Sequence, residues 1–104
     1  MPAIAVPERL LETIHRLEAT DEPVEDKLSR VLESEIRRRL AQYEMTNRLF
    51  QKKYRMSLEE FEKRDMVRQL GYSFEAESDH QDWDMAVDGI KTPRQELARL
   101  KGTP

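Results

Sequence analysis

The sequence predicts an all-α protein, and three observations carry that expectation. Neither Gly nor Pro occurs anywhere from Val24 to Leu70. Within that stretch Val24, Leu28, Leu32, Ile36, Leu40, Tyr43, Asn47, Phe50 and Tyr54 recur every three or four residues. Their mean step of about 3.75 residues lies nearer the α-helical 3.6 than the 3.5 of a left-handed coiled coil. Finally, the whole chain holds only 3 Gly, too few for a turn-rich β fold or a glycine phosphate loop. The expected architecture is one long central helix with shorter flanking helices, dimerising, followed by an acidic, partly extended C-terminal segment.

Taken in order, Pro7 suits the first position of a helix, where a missing N–H is tolerated. Leu10, Leu11, Ile14 and Leu17 then mark an amphipathic stripe ending near Ala19. Pro23 restarts the chain as a helix, with Glu25 and Asp26 in the first turn, where the helix dipole favours anions. A helix from Pro23 to about Tyr54 would be roughly 48 Å long. The rest of so short a chain cannot readily cover its stripe, so Leu28, Leu32, Ile36, Leu40 and Tyr43 are expected to pack against a second copy. The alternative is a monomeric bundle broken at Met45–Asn47.

Ser57, with Glu60 three residues on, predicts a capping box opening a third helix that runs through Leu58, Phe61, Met66, Val67 and Leu70 to Gly71. Residues 72–78, "YSFEAES", alternate aromatic and polar side chains and read as an extended connector. Asp79 would cap a fourth helix carrying Trp83, Val87 and Ile90, and Thr92-Pro93 would begin a last short one through Leu97 and Leu100. Two domains follow from this reading: residues 1–70 as helical core and dimerisation domain, and residues 71–104 as an acidic-aromatic segment that binds a partner.

Charge is distributed unevenly around the net −3. Residues 71–90 hold six acidic side chains and no basic one, whereas residues 30–55 hold eight basic against three acidic. Surfaces of opposite sign speak about partners rather than about fold. There is no Cys, hence no disulfide, thiolate metal site or Cys nucleophile. No stretch approaches a membrane span and the N-terminus lacks a signal-peptide pattern, so a cytoplasmic protein with no membrane association is expected.

Catalysis finds no support. His80 lies among Asp79, Asp82 and Asp84, yet calcium-loop spacing fails, since Asp84 stands where the loop needs Gly. Zinc would need further His or Cys. His15 is simplest as an edge residue of the first helix. No nucleophile elbow or P-loop is present, and no cofactor, metal or catalytic residue is expected. Arg37, Arg38 and Arg39 point in three directions around a helix. A subset, Arg38, Arg48, Lys52 and Arg55, forms a candidate nucleic-acid contact, though a pI near 5.5 is far from that of a dedicated DNA binder.

The segment "SFEAESDHQDWDMAVDGI" combines clustered carboxylates with Phe74, Trp83 and Met85. Aromatic and Met side chains anchor protein interfaces, and carboxylates orient docking onto a basic surface. Together with "LFQKKYRMSLEEFEKRDM" it resembles a family of small prokaryotic proteins with the pattern "kkYgmS-eEFe", a spacer, then "sfEvE-Dy-dWe-a-dgi". The matching positions are Tyr54, Met56, Ser57, Glu60, Phe61, Glu62, Phe74, Glu75, Glu77, Asp79, Trp83, Asp84 and Gly89. The likeness covers residues 49–90. His80 and Gln81 depart from it where an aromatic is usual, as does Arg55 where Gly is usual. The resemblance implies an antitoxin of a two-gene toxin–antitoxin module, neutralising a small toxin that acts on RNA. On that expectation Phe74, Glu75, Glu77, Asp79, Trp83 and Asp84 bind a small basic protein. The competing expectation is a dimeric helical scaffold or adaptor, with or without autoregulatory DNA binding through the basic stripe.

Overall fold

The computed structural model describes residues 5–102 and is all-α, with no strand among them. Five helices follow one another: α1 Glu8–Leu17, α2 Val24–Tyr54, α3 Leu58–Lys63, α4 Met66–Gln69 and α5 Phe74–Leu100. They form two compact units that divide within α2, one up to Glu35 and one from Ile36 onward. The expected boundary at residue 70 is therefore displaced. Residues 71–102 pack with residues 36–70 and are no separate appendage.

In the first unit α1 lies beside the start of α2. Pro7 sits at the N-cap with extended dihedrals, one position earlier than expected. Ile14 is buried, and so is Lys27, whose Nζ donates to His15 Nδ1 at 2.8 Å. His15 is thus the acceptor that makes a buried lysine tolerable, a role beyond that of an edge residue. Arg30 closes the turn between the helices by bonding Glu18 and, through both terminal nitrogens, Glu22.

The second unit is built around Trp83. Leu58, Phe61 and Trp83 are buried together, and Phe50, Tyr54, Met56, Met66, Val67 and Val87 pack against them. The Trp83 ring stacks on Phe50 at 5.6 Å and on Tyr54 at 5.8 Å, while Phe61 meets Tyr54 edge-on at 4.8 Å. The apolar spacing Ala76, Trp83, Ala86, Ile90 turns one side of α5 inward, and all four residues are buried. Asn47, the one polar residue of the α2 stripe, is there because its Oδ1 accepts the Trp83 indole N–H at 2.8 Å.

Several expectations about elements change. The third helix is two, because Asp65 adopts a left-handed conformation (φ 52°) that ends α3 and starts α4. Ser57 Oγ does accept from the Glu60 N–H, but the Glu60 carboxylate takes Arg64 Nε instead of reaching back. The largest difference is at residues 72–78, where Tyr72 is left-handed (φ 53°), Ser73 alone is extended and Phe74 already begins α5. Ser73 Oγ caps α5 by accepting from Ala76 N–H, with Glu75 and Glu77 in the first turn. Neither Asp79 nor Thr92 begins a helix. α5 continues through Pro93, which is itself buried, so the packing of that face outweighs the lost backbone hydrogen bond. α2 is unbroken through Met45–Asn47.

Candidate functional site

The helical twist of α5 separates five of the six acidic side chains of residues 71–90 into two sets with different surroundings, Asp82 lying apart from both beside Tyr43 and Phe50. Glu75 and Asp79 reach Lys53 on α2, at 2.6 and 2.5 Å, and Asp79 also accepts from the Tyr54 hydroxyl. Burial opposes ionisation of Asp79, yet the hydrogen bonds from Lys53 and Tyr54 outweigh it and hold the carboxyl below its ordinary range. Burial first, and then the bond to Asp79, push the Tyr54 hydroxyl up to about 12. Hydrogen bonds to Asp79 and Glu75 keep Lys53 charged well past its usual range. These three groups tie α5 to α2.

The other set points away from the core. Phe74, Glu77, Gln81, Asp84, Met85 and Asp88 follow one another by three, four, three, one and three residues, and all are exposed. Phe74 is 87% exposed and Met85 69%. Glu77 and Asp84 have no ion pair among the described residues. Next to this face, α3, α4 and the start of α5 enclose an open groove of about 590 Å3. Phe61, Met66, Val67 and Tyr72 contribute its apolar lining and Glu62, Asp65 and Glu77 its carboxylates, with no Lys or Arg. His80 lines it as well and bonds Glu62 at 3.0 Å.

Of the six residues expected to contact a partner, the structure brings Phe74, Glu77 and Asp84 onto one exposed face. Glu75 and Asp79 are engaged by Lys53. Trp83 is 0% exposed, and an enclosed ring has no surface to offer, so it is a core residue and not a contact. Met85 and Asp88 complete the outer face. Their spacing from Phe74 and Gln81 would have revealed them, had residues 72–78 been read as helix.

The expected dimer residues also divide. Leu28 and Leu32 are exposed, together with Val31, whereas Ile36 and Leu40 are half-buried. Tyr43 lies against Gly89 of α5, where an added Cβ would come within 2.9 Å of its ring. Among the basic candidates, Arg38, Arg48 and Lys52 share one exposed side of α2 with Ala41, Met45 and Leu49. Arg55 lies past the end of the helix with φ 57° and does not continue that side. No group of three or more His, Cys, Asp or Glu among the described residues is placed to hold a metal ion. None of their helices is long and apolar enough to cross a membrane. Comparison of the chain with protein-family models, with curated proteins and with solved structures finds no match.

Proposed function

We propose that this chain is a non-enzymatic cytoplasmic binding protein that docks a small basic protein on the outer side of α5. That is the antitoxin role implied by the family it resembles. The observation that carries the reading is the outer face itself. Two large apolar side chains, Phe74 and Met85, stand exposed among Glu77, Asp84 and Asp88, of which Asp88 pairs with Lys91 at 3.4 Å while Glu77 and Asp84 have no ion pair among the described residues. Apolar anchors supply binding energy once desolvated, and the surrounding carboxylates select a cationic surface and speed its approach. The adjoining groove offers carboxylates above an aromatic floor, a chemistry suited to an inserted Lys or Arg side chain.

The test is co-expression with the product of the adjoining reading frame. The expected result is a stoichiometric complex with a short basic chain whose effect on host RNA is relieved. Phe74→Ala combined with Asp84→Lys should break that complex while helicity stays unchanged. Retention of the complex by this variant would overturn the assignment of the surface, and a neighbour that is neither basic nor bound would overturn the function.

The exposure of Leu28 (37%), Val31 (36%) and Leu32 (53%) favours a second reading, a dimeric helical scaffold assembled through the start of α2. Replacing Leu28 and Leu32 with Gln and measuring the mass in solution separates it from the first.

A further inference from the structure

The second unit carries a counterpart to the outer face of α5. On the side of α2 turned away from Trp83, Arg38, Ala41, Met45, Arg48, Leu49 and Lys52 follow one another by three, four, three, one and three residues. That is the same series of steps that generates the outer face of α5. All six are exposed, Met45 by 56% and Leu49 by 62%, and Arg48 and Lys52 have no ion pair among the described residues. One helix therefore presents two apolar side chains framed by cations, and the other presents two framed by anions. The two faces match in length and apolar content and are opposite in charge.

We propose that the outer face of α5 is covered by the basic side of α2 from a second copy of this chain. The charge pattern selects this occupant over a nucleic acid for the α2 side. Met45 and Leu49 lie in the middle of the cationic series, where a phosphate track would leave them wet, while Phe74 and Met85 would bury them. Because the two faces differ, the contact is head-to-tail, and each pair of copies keeps one face of each kind free for the next. Association therefore continues past a dimer unless the rotation closes a ring. A basic partner protein would compete for the α5 face and cap the series. The inference rests on reading that face as a docking surface, but not on the existence of the basic partner.

Sedimentation of the full chain tests it. The average mass should rise with concentration, and salt should lower it, since the contact joins exposed charges. Arg48→Glu with Lys52→Glu, and separately Asp84→Lys with Asp88→Lys, should each weaken association about tenfold or more. Circular dichroism checks that both variants remain helical. The decisive measurement mixes the two reversed variants in equal amounts. Each variant alone associates more weakly than the wild type, but each restores the sign that the other needs, so the mixture should regain the wild-type mass. A wild-type chain that stays monomeric up to about 1 mM would overturn the proposal. So would association that both reversals leave unchanged, which would move the contact to Leu28 and Leu32. A mixture that stays monomeric would do the same, as would duplex DNA binding that the Arg48/Lys52 variant loses while self-association persists. Failure of the co-expression complex alongside restored mass in the mixture would sink the basic-partner reading and leave this one standing.

Discussion

Asn47 owes its place to a single hydrogen bond. The indole of Trp83 is enclosed on every side, and its N–H must find an acceptor or stay unsatisfied. Replacing Asn47 with Ala removes that acceptor, and urea denaturation should show a loss of about 1–3 kcal/mol. In a Trp83→Phe background most of that loss should disappear, because the donor has gone. Equal losses in both backgrounds would mean that Asn47 acts through packing alone. Gly89 makes a second local argument. An Ala in an exposed helix interior is favoured over Gly by about 1 kcal/mol, but here its Cβ would meet the Tyr43 ring at 2.9 Å. Gly89→Ala should therefore stabilise a Tyr43→Ala protein and fail to stabilise the wild type. A coupling of about 1 kcal/mol or more between the two sites is expected from the double-mutant cycle.

At the scale of elements, the link from α2 to α3 turns on one left-handed residue. Arg55 follows the end of α2, and its φ of 57° lies in the left-handed region that favours Gly. The chain must turn sharply there to bring Ser57 into the cap of α3, and any residue at that point takes the same backbone. Arg55→Gly should raise the stability of the fold by about 0.5–1 kcal/mol, the relief of strain exceeding the extra entropy of the unfolded chain. A lower thermal midpoint in the variant would show that the Arg55 side chain contributes more than its backbone costs. α5 illustrates the opposite balance. Its Pro93 breaks a local rule and is retained inside the helix because the buried side, from Ala76 through Trp83, Ala86 and Ile90, continues through it.

For the whole molecule, the joint among Lys53, Tyr54 and Asp79 sets the pH limits of stability. Asp79 titrates below its ordinary 3.8 in the folded chain, so the stability it contributes is present above about pH 4 and is lost as pH falls further. Tyr54 and Lys53 are both raised. The Tyr54 contribution is complete below pH 10.0, its ordinary value, and is lost as pH rises toward about 12, while that of Lys53 is lost at higher pH still. The thermal midpoint should therefore hold steady between those limits, as far as this joint determines it, and fall on the alkaline side from about pH 10. Tyr54→Phe together with Lys53→Met should flatten the alkaline fall. An alkaline limb identical to that of the wild type would show that other groups control it. Amide exchange offers a further check. Protection should be strongest in α5 around Trp83 and weakest in α1, whose one described buried side chain is Ile14.

Local rules placed much of this. The absence of Gly and Pro across residues 24–70 and the three-to-four stripe determined α2 to within a residue of its ends, because a helix this long is specified by its own backbone and period. Ser57 announced its cap for the same reason. The outer face of α5 was half legible. The chemistry of Phe74, Glu77 and Asp84 marks them in the sequence, but it marks Trp83 with them, because an aromatic among acids looks alike whether it faces a partner or the core. Only the tertiary structure decided that. Burying Trp83 against Phe50, Phe61 and Tyr54 requires α5 to start at Ser73 and run unbroken through Pro93, and the packing free energy of that face exceeds the local preferences for an extended connector and a proline stop. Once the phase of α5 is set by its buried side, the twist alone determines which carboxylates hold the fold together and which remain for a partner.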